Sequence, residues 1–390
     1  MSEIDISLYF EPVQDDCNNL LNSEKKLIGN SIYIFKEHFP NYIKADIAII
    51  GVREDRNSVD NKGCDLTPDL FRTFFYKLTQ CRAEQKIVDL GNIKSGNEIN
   101  DTYFALKQVI EELIKHNVIP IIIGGSQDLT YACYQAYESL EQVINIVSID
   151  SIFDLGKYEE ELNSENYLSK IILKQPNYLF NYTNIGYQSY FVDQDTISLM
   201  RKLFFDVYRL GEIQSNIEEV EPLVRNSDFL TFDFRSIRYS DSPCNPNASP
   251  NGFYGEDACQ IARYAGMSDK LSLIGFFELN ARNEKSGQSL FLLAQMIWYF
   301  IEGFYSRKDD IPIANSNDFI KYYVSIHDSK YEIPFYKSKK TNRWWMEVTC
   351  PVEKSQYERH HLIPCSYKDY QTASNDELPD RWWQAFQKLI

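Results

Sequence analysis

The sequence predicts an α/β protein, a three-layer α/β/α arrangement around a mostly parallel sheet of about eight strands, with a C-terminal extension. Three observations predict it. Short β-branched runs alternate with longer amphipathic stretches from residue 45 to about residue 305. The runs are apolar throughout rather than alternating, the pattern of parallel strands buried on both faces. Polar, acid-bearing segments stand directly after four of the runs, where an open parallel sheet forms its sites.

Residues 1–44 read as an N-terminal helical segment, and residues 45–310 as one doubly wound domain rather than two. Residues 45–52 (ADIAIIGV) give a buried strand. A helix follows, opened by Thr67 as N-cap and Pro68 in the first turn. Residues 86–90 form a short strand, 101–116 a helix, 118–124 (VIPIIIG) a strand, and a further helix starts near Leu129. Strands over 143–149, 183–187, 204–210, 228–234 and 271–277 complete the sheet, and 286–303 is a long apolar-faced helix. No internal repeat or low-complexity segment interrupts the pattern.

Residues 311–390 form the extension. Strands over 331–336 and 343–350 pair across the basic turn 337–342, and Asp380-Arg381-Trp382-Trp383 opens a terminal helix. Trp344, Trp345, Trp382 and Trp383 are expected to pack it on the main domain. The alternative is a protein-partner surface, because Trp and Arg favour interface hot spots.

Forty basic against 56 acidic residues leave a charge of −16. Such a surface repels phosphate backbones and anionic lipid, so neither nucleic acid nor membrane is an expected partner. No secretory signal opens the chain, and no stretch approaches the ~18 uninterrupted apolar residues of a membrane span. Eight scattered cysteines without a CxxC pair read as reduced thiols, which points to the cytoplasm and away from a zinc site. Of the five histidines, the adjacent pair His360-His361 reads as surface.

The chemistry is expected at the strand ends. After 118–123 comes Gly124-Gly125-Ser126-Gln127-Asp128, and after 143–149 comes Asp150-Ser151-Ile152-Phe153-Asp154. Asp233-Phe234-Arg235 ends the run from 229, and Glu278-Leu279-Asn280 follows Gly275-Phe276-Phe277. Carboxylates converging from four neighbouring strands cannot all stay ionised without a cation among them, whether a metal or an arginine. The bland alternatives are that Asp150 and Asp154 cap a loop or helix, Asp128 caps the helix it precedes, Gln127 is a plain hydrogen-bonder, and Glu278 pairs with Arg235.

In order and spacing these segments resemble the ureohydrolase family of arginase, agmatinase and formimidoylglutamase. The Gly-Gly-Ser-Gln-Asp, Asp-Ser-Ile-Phe-Asp, Thr231-Phe232-Asp233-Phe234-Arg235 and Glu-Leu-Asn segments stand where that family has its four motifs. Ala248-Ser249-Pro250-Asn251-Gly252 is similar to the Ala-Pro-Gly segment that follows the third. The likeness spans roughly 45–305. It implies the family's fold and, in active members, two manganese ions held by two His and four Asp, with a bridging hydroxide that attacks a guanidinium or formimino carbon.

The departures matter as much. Gln127 and Ile152 stand at the two His positions and Arg235 at one Asp position, while Asp150, Asp154 and Asp233 remain. The resemblance then implies one divalent cation at most, Mn or Mg, held by Gln127, Asp150, Asp154 and Asp233, or none; a two-manganese cluster is not expected. Arg235 is expected to replace the second ion and neutralise Asp150 and Asp233. Glu278 and Asn280 are the substrate-binding candidates, and Asp154 and Glu278 the catalytic ones. The function expected is a binding or scaffold protein for a small cationic or amidine ligand. The alternative is a hydrolase of C–N bonds in a guanidino or formimino substrate, using one metal or none. The family resemblance also implies a homo-oligomer.

Overall fold

Isoleucine-rich runs become the strands. The computed structural model describes residues 5–14, 26–157, 159–312, 317–327, 331–348 and 360–389. Cys17 and Cys350 lie outside these; the other six cysteines are free thiols. The strands are β1 (Phe10–Glu11), β2 (Tyr33–Ile34), β3 (Ile47–Val52), β4 (Ile87–Ile93), β5 (Ile119–Ile123), β6 (Ile144–Ile149), β7 (Leu179–Tyr187), β8 (Asp206–Arg209), β9 (Phe229–Asp233) and β10 (Leu273–Phe277). They form one sheet in the order β1-β4-β3-β5-β10-β9-β6-β7-β8, with β2 also on β4. All pairings are parallel except that of β1 with β4.

Both faces are covered, and alternate residues of each strand go to opposite cores. Ile47, Ile49, Ile119, Ile121 and Ile123 join one cluster, with Phe71, Ile261 and Ile297 from the helices Thr67–Phe75, Gly255–Gly266 and Gln288–Phe304. Ala48, Ile50, Val52 and Ile122 join the other, with Leu106, Tyr134 and Ile171 from the helices Ile99–Lys115, Leu129–Ser139 and Tyr167–Leu173. Each buried Ile, Leu, Val or Phe among them contributes ~1.5–3 kcal/mol by leaving water. The helices Gly255–Gly266 and Gln288–Phe304 touch closely because Gly266 has no Cβ; one would stand 2.1 Å from the Phe300 carbonyl oxygen.

The eight expected strands are all present. The N-terminal segment differs from its expected helical character: besides short helical turns it supplies β1 and β2 at the sheet edge. Two-residue strands are too short to show a period. Thr67 is not a cap either. It is the first helical residue, and its hydroxyl donates to the Leu279 carbonyl, tying this helix to the segment after β10.

The extension is larger than a hairpin. Strands β11 (Phe319–Ile326), β12 (Tyr331–Ser338), β13 (Trp344–Glu347) and β14 (Leu362–Cys365) form an antiparallel sheet in that order, followed by helices Tyr367–Ser374 and Asp380–Leu389. Trp344, Trp345 and Trp382 are buried; Trp383 alone of the four is exposed, at 38%. The extension is fastened to the main domain by charge. The Arg225 guanidinium lies 4.3 Å from the Trp345 ring centre, and Arg343 and Arg381 pair with Glu221 and Glu219 at 3.0 and 2.9 Å. His360 is buried too, stacked on Phe180 of β7 at 4.1 Å, so the surface expectation for it fails. An imidazole ring offers a flat apolar face that sequence spacing does not reveal. Among the described residues no helix is long and apolar enough to cross a membrane.

Candidate functional site

Strands β5, β10, β9 and β6 are neighbours at the centre of the sheet, where the outward and returning paths of the chain meet: β5 leads to β6 past two places that β9 and β10 fill on the way back. Their registers (Ile123 beside Phe276, Phe277 beside Asp233, Phe232 beside Ile149) bring the four carboxyl ends to one level. The strand-end motifs therefore share one crevice, as an open parallel sheet requires.

Asp150, Asp154 and Asp233 meet there. They are buried, and a ligand oxygen from each lies within 4.8 Å of the others. Neither Asp150 nor Asp154 caps a helix. Asp150 Oδ1 accepts the Ile152 N–H at 3.2 Å, and its Oδ2 has no hydrogen-bond partner. Both Asp154 oxygens lack one, although the residue holds a left-handed φ of 49°. Asp233 Oδ1 accepts the Arg235 N–H at 2.6 Å. Burial above all pushes the three carboxyls up, Asp154 and Asp233 well up; repulsion from Asp150 adds to both of these, and from Glu278 to Asp233, while the nearby Arg235 opposes the rise.

Arg235 does not bridge these carboxylates. Its guanidinium is ion-paired with Glu165 at 3.1 Å, and its backbone N–H rather than its side chain reaches Asp233. The three aspartates act on it through space and, with Glu165, hold its pKa above the ordinary arginine value against the cost of burial. The expected direct pairing with Asp150 and Asp233 is thus replaced by an outward one. The reason is that Glu165, from the loop before helix Tyr167–Leu173, competes for the same fork.

Gln127 Nε2 donates to Thr231 Oγ1 at 2.8 Å, and this leaves Gln127 Oε1 buried without a partner. Glu278, also at a left-handed φ (62°), does not pair with Arg235. Its two oxygens accept the Gln127 backbone N–H at 2.8 Å and Asn61 Nδ2 at 2.6 Å. Burial still raises its pKa to about 7. Asn280 is committed to structure: its amide donates to Asn61 Oδ1 and the Lys62 carbonyl, and its oxygen accepts the Arg282 and Asn283 N–H groups. Asp128 precedes a helix but its side chain makes no cap bond; it accepts from the Tyr103 hydroxyl, and burial lifts it to about 6.

Asn61 and Glu165 carry no motif and were not singled out by the sequence. The loop holding Asn61 reaches the crevice because Gly125 lacks a Cβ, which would stand 1.8 Å from the Glu54 carbonyl oxygen; the Ser126 N–H donates to that same oxygen at 3.0 Å.

The donor set fits a hard cation. Carboxylate and amide oxygens are its preferred ligands, and four of them here (Gln127 Oε1, Asp150 Oδ2 and both Asp154 oxygens) lack a hydrogen bond. Ile152 offers no donor, and Arg235 brings a positive charge instead of a ligand. Beside Asp154 opens a cleft of about 330 Å³, bordered by Ile152, Glu165 and Phe191.

Known proteins match this architecture. The formimidoylglutamase of Staphylococcus haemolyticus is 24% identical over 277 residues, covering 66% of this chain and 86% of its own. That of Staphylococcus aureus is 23% identical over 270 residues with the same coverage. Among solved structures, Trypanosoma cruzi formiminoglutamase with Mn2+ superposes with a TM-score of 0.63 at 19% identity, covering 70% of this chain and all of that one. Bacillus subtilis formimidoylglutamase gives 0.66 at 15% identity, covering 75% and 96%. These structural likenesses establish a shared fold. The family model for arginases matches residues 45–302, every strand from β3 to β10 with all four strand-end segments, and this chain belongs to the arginase family.

Proposed function

We propose that this chain is a binding or scaffold member of the arginase family with a degenerate two-manganese site, holding at most one divalent cation and not performing two-metal hydrolysis. The observation that carries the reading is the set of four buried oxygens without partners on Gln127, Asp150 and Asp154, beside Asp233. Asp150, Asp154, Asp233 and Gln127 would hold a manganese or magnesium ion. The ion would supply neutralising charge and Lewis acidity. Thr231 orients Gln127 by accepting from its Nε2, so that the oxygen remains available.

Against a second ion stand two residues. Ile152 has no lone pair to offer, and the guanidinium of Arg235, close enough to act on all three aspartates, repels another cation while supplying part of the charge it would bring. Glu278 and Asn280, the substrate candidates, already have their side-chain oxygens engaged by neighbouring N–H groups. A second reading, hydrolysis of a guanidino or formimino C–N bond with one ion or none, is favoured by one feature: the cleft that reaches Asp154.

Elemental analysis of protein loaded with excess manganese and freed of unbound ion tests the proposal. At most one ion per chain is expected, and none once both Asp150→Asn and Asp233→Asn are introduced. Two ions per chain would overturn it. Turnover of formimidoylglutamate or agmatine by the loaded protein would replace it with the second reading.

A further inference from the structure

We propose that β11 is a self-pairing edge: two copies of this chain join along it, antiparallel and centred on Tyr322, so that their C-terminal sheets run on as one. The other sheet ends among the described residues are blunted. β1 and β8 are two and four residues long. β14 has four residues and contains Pro364, and Arg225 donates to the Cys365 carbonyl on it at 3.3 Å. β11 differs. It has eight residues with no Pro, and it pairs with β12 without a bulge from Phe319 beside Ser338 to Ile326 beside Tyr331. Among the described residues no strand lies on its other side. A long edge rich in aromatic and β-branched residues is a template for a further strand.

The backbone fixes which groups are offered. The Asp318 carbonyl accepts the Lys339 N–H at 2.8 Å, so Asp318 faces β12. Because an antiparallel ladder alternates, the N–H and C=O groups of Phe319, Lys321, Tyr323 and Ser325 face away from β12. The edge closes at its far end, where Ile326 is fully buried and the His327 N–H is taken by Asp376 at 2.6 Å. The open stretch is therefore 319–325, and its midpoint is Tyr322.

The chemistry of this stretch suits a second copy. A two-fold axis at Tyr322 sets Ile320, 41% exposed, against the partner's Val324, and Lys321 against the partner's Tyr323, itself 63% exposed. The Lys321 ammonium already lies 4.9 Å from the Tyr336 ring centre and would gain a second ring on its other side. Charge permits the approach. In a chain of −16, β11 carries no acidic residue, and Asp318 just before it is paired with Lys340 at 2.8 Å. Antiparallel pairing also turns the end beside exposed Glu332 toward the partner's end beside exposed Lys339. Each copy has one such edge, so the two-fold contact closes and does not grow into a filament.

Sedimentation velocity of the full chain over about a hundredfold range of concentration tests the pairing. A reversible doubling of mass is expected as concentration rises. Tyr323→Lys puts lysine opposite lysine at both symmetric positions and should weaken the pairing about tenfold or more. Adding Lys321→Glu to that variant makes both contacts Glu opposite Lys and should restore the doubling. Both positions are exposed, so neither change disturbs the packing of the extension. A chain that never doubles would overturn self-pairing and leave the edge to a strand of another protein. A doubling untouched by Tyr323→Lys would place the contact elsewhere and overturn it as well. A loss that Lys321→Glu does not repair would overturn the register centred on Tyr322.

Discussion

Two regions of this molecule bury carboxylates next to arginine, and they are built oppositely. Below the helix Thr67–Phe75, Arg72 and Asp89 are both fully buried and joined by two bonds of 2.8 and 2.9 Å. Every remaining polar atom around them is used: Arg72 also donates to Pro68, Gly91 and Asn92, and Asp89 accepts the Tyr76 hydroxyl and the Gly91 N–H. At the carboxyl ends of the central strands, three aspartates crowd within 4.8 Å, four buried oxygens of the site go without partners, and the nearest arginine faces outward to Glu165. A closed network is a structural device. An open one of the same residue types stays open at a cost of about 1–3 kcal/mol for each unsatisfied group, which is reasonable only where something else completes it.

The comparison predicts opposite responses to mutation. The largest effect should come from Arg72→Ala, which strands a buried carboxylate and should cost about 3–5 kcal/mol in a urea titration. A loss below about 1 kcal/mol would mean that the closed network is not what holds this face together. Asp154→Asn should behave in the reverse sense. In chelator-treated protein it removes a charge from a repelling trio, and Asn tolerates the left-handed backbone there, so stability should rise by about 1 kcal/mol. Destabilisation comparable to Arg72→Ala would show that the trio is as satisfied as the closed cluster.

A third carboxylate, held by a serine hydroxyl and backbone N–H groups, sharpens the contrast. Glu284 accepts the N–H groups of Ser286, Gly287 and Ser289 at 2.9 Å each, at the start of the helix Gln288–Phe304. The Ser289 and Ser286 side chains together with those N–H groups lower its pKa from 4.5 to about 2 although partial burial opposes them. A depressed folded-state pKa means stability that is present above pH ~4.5 and is lost as pH falls towards 2. Glu284→Gln should therefore cost about 1–2 kcal/mol at pH 7. The gap from the parent protein should close as the pH approaches 2. A gap independent of pH would assign the effect to packing instead of charge.

How much of this was legible in the chain can be judged residue by residue. The eight strands from β3 to β10 were legible because a run such as Ile119–Ile123 is apolar on both faces, and that pattern belongs to few structures. Asp150, Asp154, Asp233, Gln127 and Glu278 were legible as a group because each directly follows or ends such a run. Their partners were not. Asn61 lies 217 positions from Glu278, and Glu165 lies 70 from Arg235, both in loops with no periodic pattern. The same gap explains Thr67 and Asp128: a residue suited to capping caps only if no tertiary acceptor or donor outbids the local backbone, and the Leu279 carbonyl and the Tyr103 hydroxyl did so.

What the sequence by itself determined is the sheet, its burial on both faces and the acidic residues delivered to its carboxyl ends, because apolar periodicity and residue type are local properties. Only the tertiary structure decided which of those acids are satisfied. Glu278 gained two donors, Asp154 gained none and Arg235 turned to Glu165, because hydrogen bonds and ion pairs depend on distances of about 3 Å between segments that here stand 70 to 217 residues apart.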